Sequence, residues 1–234
     1  MRLILALFLL TIACARAQAP VSCRLLGFPG VQPPPMSIIG ADGELIPCEV
    51  PGGALSSPVQ CRSEQGVIRF YQTEDAGAKE NPAAPPRVLA SAKVPGKANA
   101  LILVFVPAGE NTALPWRIVA FEDTPQGFPD GGAVVANFHQ SELRFLIGEH
   151  RVQLNPGLTK PVASPEKRDD FNMAPVIFQF NHEGQWRAAS ESMLRFIPGL
   201  RYLIIGYQDP ESKRPRLFTC ADTVPPRPVP AAPR

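Results

Sequence analysis

Histidine and acidic side chains are the residues of this chain that could hold a metal ion or move a proton. His139, His150 and His182 all lie in the C-terminal half, and each has a glutamate close by in sequence. Three converging imidazoles could bind zinc or copper, but the spacing fits neither an H-x-E-x-H motif nor a copper pattern of Cys, His and Met. We predict no metal site and no cofactor. A histidine-based metal protein or enzyme remains the third alternative for the function.

Hydrolytic chemistry has little support in the sequence. No G-x-S-x-G segment is present that would expose a nucleophilic serine at a sharp turn. Asp169-Asp170 and Glu122-Asp123 are paired carboxylates of the kind that glycosidases use, but neighbours on a strand point to opposite faces. No glycine-rich loop opens a helix, so nucleotide binding is not indicated. We predict that the protein is not an enzyme and has no catalytic residues.

Two tryptophans, Trp116 and Trp186, begin apolar segments in different halves of the chain. An exposed tryptophan on a β-sheet can stack on a sugar ring, whereas a buried one fills a core or a domain junction. The second role is the commoner one for so large a side chain. Because an exposed tryptophan is still possible, a glycan ligand stays open as an alternative to a protein partner.

The N-terminus has the features of a secretory signal peptide. Arg2 is followed by an unbroken apolar run over residues 3–10 and then by small residues up to Ala17. Cleavage after Ala17 would make Gln18 the mature start. Lipidation at Cys14 is an alternative, although the residues before it lack the usual leucine. We expect a periplasmic or secreted protein.

The charge balance excludes several classes of partner. Removal of residues 1–17 takes two arginines from the 23 basic residues, which leaves 21 against 21 acidic ones. Because no run of Lys or Arg is present, we predict no nucleic-acid partner. No later segment approaches 18 apolar residues, so we predict no transmembrane segment in the mature chain. The expected partner is an unknown protein or glycan of the cell envelope.

Most apolar stretches are short and bounded by Pro or Gly, which indicates β-strands. With 28 prolines and 18 glycines, the chain has little room for long helices. Residues 101–106 and 203–205 are apolar on both faces, which predicts strands buried in the middle of a sandwich. Residues 143–154 predict a hairpin with a type II′ turn at Gly148-Glu149, and Asp42-Gly43 predicts a type I′ turn at the corresponding earlier place.

These segments follow one another in the same order twice. The segments that match between the two halves are 67–70 with 176–178, 94–96 with 197–199, and Asp123-Thr124 with Asp222-Thr223. The sequence therefore predicts an internal duplication. We expect an all-β protein of two similar, immunoglobulin-like β-sandwich units, each with about seven strands.

The duplication divides the chain into five parts. They are a signal peptide (1–17), a first β-sandwich unit (18–124), a linker (125–131), a second β-sandwich unit (132–223) and a disordered Pro-rich tail (224–234). Phe128, within the linker, is expected to pack between the units.

Four cysteines remain once Cys14 is removed with the signal peptide. An even number in an exported chain predicts two disulfides, for which three pairings are possible. The preferred pairing joins Cys48 to Cys61, which flank a Pro-Gly-Gly turn and whose counterparts in the second unit would be Gln153 and Ser164. It leaves Cys23 to pair with Cys220.

One family resemblance is present, mainly in the second unit. The succession of Val134 to Asn137, Ile147-Gly148, Leu154 to Gly157 and the strands of Trp186 and Tyr202 resembles uncharacterised exported β-sandwich proteins of Gram-negative bacteria. The resemblance implies a compartment and a fold, and no catalytic residues. The two-lobed plan is also similar to that of periplasmic pilus chaperones, but their basic subunit-binding cleft has no counterpart here.

These observations predict a non-enzymatic exported protein with a binding or structural role in the cell envelope, acting through a surface or an inter-unit groove. The second alternative is a periplasmic chaperone or assembly factor that uses an exposed edge strand.

Overall fold

The computed structural model describes residues 19–73, 86–96, 98–109 and 112–223. The predicted signal peptide (1–17) and the predicted tail (224–234) lie outside these ranges, as does the predicted mature start at Gln18. The described residues form strands, turns and loops, and no helix among them is long and apolar enough to cross a membrane. The all-β prediction is confirmed.

The first half of the chain forms eight strands. They are β1 (Val21–Gly27), β2 (Met36–Ile39), β3 (Leu45–Cys48), β4 (Val59–Cys61), β5 (Val67–Gln72), β6 (Val88–Lys93), β7 (Ala100–Pro107) and β8 (Trp116–Glu122). Their alternating burial, clearest in β1 and β5, places one side-chain face in a core.

The second half also forms eight strands. They are β9 (Ala133–Asn137), β10 (Leu143–Ile147), β11 (His150–Leu154), β12 (Thr159–Val162), β13 (Met173–His182), β14 (Gln185–Arg195), β15 (Leu200–Gln208) and β16 (Pro215–Thr223).

The two halves have the same topology, strand for strand. The first unit has an inner sheet in the order β4-β1-β7-β8 and an outer sheet in the order β3-β2-β5-β6. The second unit has an inner sheet β12-β9-β15-β16 and an outer sheet β11-β10-β13-β14. Even the register break recurs, after Phe70 and after Phe178. Two similar β-sandwich units are thus confirmed, with eight strands each rather than about seven.

The strand order differs from that of the immunoglobulin domain. There the two sheets run A-B-E-D and C-F-G, whereas here the first strand of each unit pairs in parallel with the seventh, as β1 does with β7 and β9 with β15. The structure therefore confirms a β-sandwich architecture, but it does not confirm that the units are immunoglobulin-like.

Three apolar cores separate the four sheets. The first core lies within the first unit, the second core within the second unit, and the third core between the two inner sheets. The inner sheets consequently have protein on both faces. This arrangement explains why the centres of β7 and β15 are apolar on both faces and why Ile102, Val104 and Ile205 are fully buried.

Phe128 completes the third core. Its side chain is 1% exposed and packs with residues of both inner sheets, which confirms the prediction that it lies between the units. The turn that presents it is closed by Thr124, whose hydroxyl accepts a hydrogen bond from the Gly127 N–H at 3.0 Å.

Both predicted hairpins are present, but the predictions for their turns have different outcomes. β10 and β11 flank Gly148, whose φ is 55°, and the hairpin prediction is confirmed. The type I′ turn predicted at Asp42-Gly43 is wrong, because β2 ends at Ile39 and β3 begins at Leu45. The Asp42 carboxylate accepts a hydrogen bond from the Glu44 N–H at 3.0 Å, and this side-chain turn supports a longer loop.

Candidate functional site

A cluster of four charged side chains lies between the inner sheets of the two units. Arg24 of β1 donates to Asp222 at 2.7 and 2.9 Å and to Asp123 at 3.0 Å. Arg201 of β15 donates to the same two carboxylates, to Asp222 at 2.8 Å and to Asp123 at 2.7 Å. Each arginine therefore bridges one aspartate of each unit, and the cluster carries no net charge.

Arg201 also holds the segment between the units. Its guanidinium donates to the Phe128 carbonyl at 3.1 Å, and its central carbon lies 4.0 Å from the centroid of the Phe128 ring. Planar guanidinium groups suit such bidentate and stacked contacts. Arg201 thereby ties the connecting turn to the ion cluster.

Burial and charge act in opposite directions in this cluster. Burial disfavours the charged form of Asp222, but the hydrogen bonds and positive charges of Arg24 and Arg201 outweigh it and lower the pKa of Asp222. Burial likewise opposes the charge on Arg24, yet its two aspartate partners raise its pKa. The geometry of the cluster fits a joint between the units rather than an open site.

The sequence predictions missed this cluster. As a candidate for chemistry, Asp123 is predicted only as half of the pair Glu122-Asp123, and the structure separates that pair by placing Asp123 inward and leaving Glu122 exposed. A signal was nevertheless present, because Asp123-Thr124 and Asp222-Thr223 end the two units in the same way. A second signal for a buried ion pair was the presence of Arg24 and Arg201 within otherwise apolar strands.

Three of the four described cysteines form a second buried cluster of reactive side chains. Cys23, Cys48 and Cys61 all lie in the first core, and the sulfur atoms of Cys23 and Cys61 are 3.3 Å apart. Cys220 lies in the third core, on the other side of the inner sheet of the first unit. All four cysteines are unbonded thiols.

The predicted pair Cys23–Cys220 is wrong, and no bond joins Cys48 to Cys61 in the structure. Cys23 and Cys220 belong to different cores and cannot meet without disrupting the sheet between them. Cys61 lies beside Cys23 on the neighbouring strand, while Cys48 is on β3 of the outer sheet. The ladder also aligns Cys48 with Leu154 and not with Gln153, because Met36–Cys48 and Leu143–Leu154 are equivalent pairs.

The three histidines lie on separate elements. His139 is in the loop after β9, where burial lowers its pKa and its Nδ1 accepts a hydrogen bond from the Ser141 N–H at 2.9 Å. His150 begins β11, and His182 ends β13. Within the described ranges, no three His, Cys, Asp or Glu side chains are grouped so that they could hold a metal ion.

Glu149 and Asp169 serve as local supports of turns. The Glu149 carboxylate accepts hydrogen bonds from the backbone N–H groups of Glu166 and Lys167, which lower its pKa to about 2. Asp169 accepts from the N–H groups of Phe171 and Met173 at 2.9 and 2.8 Å. Both carboxylates therefore accept hydrogen bonds from the backbone and stabilise turns.

The tryptophans do not form a sugar platform together. Trp116 is partly buried against the first core. On the outer sheet of the second unit, the Arg144 guanidinium carbon lies 3.9 Å from the centroid of the Trp186 ring. This cation–π contact covers one face of the indole, so only the other face could receive a ligand.

β14 is the most exposed long strand of the protein. It has 11 residues and forms one edge of its sheet, with no strand on its other side within the described ranges. Most of its side chains are exposed, several are as small as Ala or Ser, and no proline interrupts it. Long, exposed edges of this kind are usually shortened, charged or covered in natural proteins.

The hydrogen-bonding groups of this edge follow from the ladder. Met193 lies opposite Pro175, which has no N–H and whose carbonyl accepts from Gly148 on the side of β10. The pair Met193–Pro175 is therefore a non-hydrogen-bonded one, and Met193 directs its own N–H and C=O to the free edge. The same holds for Glu191, two residues away.

A surface cavity of about 660 Å³ lies at the end of the first unit, lined by residues 30–35 and 49–52. Its walls are mainly proline, glycine and valine, with Glu49 as the single charged residue. It occupies the place where the connection from β1 to β2 is longer than the equivalent connection from β9 to β10.

No protein-family model matches this chain, and no curated protein matches it.

Proposed function

We propose that this protein is an exported, non-enzymatic binding component of the cell envelope, and that it binds an extended polypeptide segment along the free edge of β14. The single observation that carries the proposal is the exposed 11-residue edge strand with unpaired backbone groups at Glu191 and Met193. The signal-peptide features of residues 1–17 support the compartment.

An added strand would complete the hydrogen bonds that the edge leaves open. Strand addition draws its affinity from main-chain hydrogen bonds and its selectivity from alternate side chains. On β14 those side chains are Glu191, Met193 and Arg195, of which Met193 is 48% exposed. Phe171, beside Arg195, is 70% exposed and extends the apolar part of the surface.

The side chains define the chemistry of the partner segment. Directly opposed side chains of opposite charge on neighbouring strands attract each other, apolar ones pack together, and like charges repel. The preferred segment therefore has a basic residue facing Glu191, an apolar residue facing Met193 and an acidic residue facing Arg195. If that segment belongs to an incompletely folded client, the same edge makes this protein an assembly factor.

The inter-unit groove is a weaker basis for binding. The space between the inner sheets is filled by the third core and by the ion cluster, in which Arg201 and Asp222 are 5% and 6% exposed. A ligand at this place would have to displace two buried arginine–aspartate bridges. The binding role is accordingly assigned to the outer sheet of the second unit.

The test is affinity capture from the native envelope with the mature protein as bait, using Met193→Pro and the matched control Met193→Ala. Proline removes the free-edge N–H but no bond to β13, whereas alanine removes only the side chain beyond Cβ. We expect Met193→Pro to lose the captured partner and Met193→Ala to retain most of it.

Hydrogen exchange then locates the contact. On addition of the identified partner, the amides of Glu191 and Met193 should become protected, while those of the β11 edge should not. Equal capture by both variants, or protection confined to other strands, would refute the proposal. A dimer of this chain that Met193→Pro abolishes would instead identify a second copy as the occupant and exclude a foreign segment.

A further inference from the structure

We propose that Cys23 and Cys61 form an intramolecular disulfide in the exported protein, an inference that rests on the export proposed above. Their sulfur atoms are 3.3 Å apart, and both side chains are fully buried in the first core. A bond requires the two sulfur atoms to approach to about 2.05 Å, which is a small movement for neighbouring strands.

The strand ladder places the two side chains on one face. In the antiparallel pair of β1 and β4, Val21 lies opposite Cys61 and Cys23 lies opposite Val59. Cys23 and Cys61 are thus diagonal neighbours that both point into the first core. The bond would join the short edge strand β4, which has three residues, to the centre of its sheet.

The second unit provides an internal comparison. By the equivalent ladder of β9 and β12, Ala133 occupies the position of Cys23, and Ser164 follows β12 at the position of Cys61. Both cysteines are therefore replaced together, by residues that cannot form a bond. Cys48 is replaced as well, by Leu154, so the distance of 3.3 Å between the sulfur atoms of Cys23 and Cys61 decides the pairing.

The remaining cysteines differ in their position. Cys220 faces the third core, on the opposite side of the sheet from Cys23. Cys48, on the outer sheet, shares the first core, where burial and the nearby charge of Cys61 raise the pKa of its thiol to about 12, whereas the sulfur of Cys61 lies 3.3 Å from that of Cys23. Cys48 and Cys220 are consequently expected to stay as protonated thiols.

The chemistry requires an external oxidant. A thiolate of Cys23 or Cys61 attacks the active-site disulfide of a thiol–disulfide oxidoreductase and forms a mixed disulfide, releasing one thiol of the oxidant. The other cysteine, as its thiolate, then attacks the sulfur of its partner and releases the second thiol of the oxidant. Two protons leave the protein thiols, and the two electrons reduce the oxidant to a dithiol.

The order of events follows from burial. In the folded, reduced protein the hydrogen bond to Cys61 and burial both raise the pKa of Cys23, and neither sulfur is open to solvent. Oxidation must then precede the closure of β4 on β1 or use its transient opening. The folded, reduced protein should react slowly with oxidised glutathione, and the unfolded chain quickly.

Non-reducing peptide mapping tests the pairing. Trypsin leaves Cys48 and Cys61 in one peptide, residues 25–62, but cleavage after Glu44 and Glu49 separates them. A double digest of protein isolated from the envelope, with free thiols blocked, should link the peptide of Cys23 to that of Cys61 and show Cys48 and Cys220 alkylated. Any other linked pair, or four alkylated cysteines in chain refolded with glutathione, overturns the proposal.

Comparing refolded protein with protein isolated from the envelope tests the cysteine pairing and the proposed export separately. If refolding in glutathione forms the Cys23–Cys61 bond while the envelope protein is fully reduced, the proposed exported function fails and the pairing stands. Loss of partner capture by the edge variants has no bearing on the map.

Thermal unfolding gives the second measurement. The bond closes a loop of sequence separation 38, so reduction of the wild type should lower Tm by roughly 5 to 10 °C. The double variant Cys23→Ala, Cys61→Ser, which copies the second unit, should show no such change on reduction. The matched control Cys48→Ser should keep the full change, and its loss in Cys48→Ser would contradict the assignment.

Discussion

The first and second units share one strand plan but fill equivalent positions with different side chains. In the first unit Phe105 of β7 packs edge-to-face on Phe70, with ring centroids 4.8 Å apart. The equivalent of Phe105 in the second unit is Gly206, and Phe145 of β10 occupies the space instead, 5.6 Å from Phe178. A large ring has moved from one sheet to the other. The comparison shows that the common strand plan accommodates different side chains at equivalent core positions.

The connection after the first strand differs in the same way. In the first unit Gly27 ends β1, and a Cβ there would lie 3.1 Å from the Val31 carbonyl oxygen. In the second unit the buried Asn137 takes this place and donates to the carbonyl oxygens of Ser141 and Leu154, each at 2.9 Å. A packed proline-rich loop in one unit thus corresponds to a hydrogen-bonded side chain in the other.

The junction combines symmetric and asymmetric features. Asp123 and Asp222 occupy equivalent positions, but Arg24 corresponds to Val134 and Arg201 corresponds to Ala100. The two arginines therefore come from different strands of the common plan and converge on the same carboxylates. Equivalent aspartates of the two units are thus paired with arginines from non-equivalent positions.

The largest expected effect is at this junction. Arg201→Ala leaves two buried carboxylates with one arginine and removes the contact to Phe128, so the free energy of unfolding should fall by about 3 to 5 kcal/mol. Urea unfolding followed by tryptophan fluorescence measures it. Arg216→Ala is the control, since that side chain is 57% exposed and lies 3.9 Å from Asp209. If the two variants unfold at the same urea concentration, the apolar contacts alone hold the units together.

The contrast between Phe105 and Gly206 gives the next effect. A Cβ at Gly206 would lie 2.5 Å from Leu143 and 2.7 Å from Phe178. Gly206→Ala should therefore destabilise the protein by about 1 to 3 kcal/mol through overpacking. Gly52→Ala in the first unit is the control, because a Cβ there meets nothing within 4 Å. A neutral Gly206→Ala would show that the second core rearranges to admit an added methyl group.

Acidification should weaken the junction. The folded pKa of Asp222 lies below that of the unfolded chain, so its stabilising contribution is present above the unfolded value and is lost as pH falls through the folded one. The loss should begin below about pH 4. Urea midpoints measured across this range should fall less steeply for Asp222→Asn than for the wild type. Parallel slopes would mean that Asp222 titrates alike in both states.

The strand pattern could be predicted from sequence because its signals are local. Alternating or continuous apolar runs and Pro-Gly turns placed β7, β15 and the hairpin of β10 and β11. Phe128 was found because an isolated large aromatic in a polar linker has few other roles. The repeated order of the segments then predicted two similar sandwich units, which the structure contains.

The cysteine pairing and the ion cluster depended on information that is not local. Shifting a strand alignment by one residue turns every side chain to the other face, and the step from Leu154 to Gln153 did so for the counterpart of Cys48. Arg24 is 99 residues from Asp123 and 198 from Asp222. Only the packing of one inner sheet on the other brings these groups together.

The smallest expected effect is on the outer sheet of the first unit, where Arg69 donates to Glu64 at 2.8 Å. These side chains are 37% and 52% exposed, and the second unit has Ile177 at the position of Arg69. Because exposed ion pairs contribute little and isoleucine favours strands, Arg69→Ile should change the free energy of unfolding by less than about 0.5 kcal/mol. Glu64→Gln is the matched control, and unfolding in low and high salt separates charge from packing. A loss greater than about 1 kcal/mol that persists in high salt would show that the outer sheets, unlike the cores, do not tolerate exchange between the units.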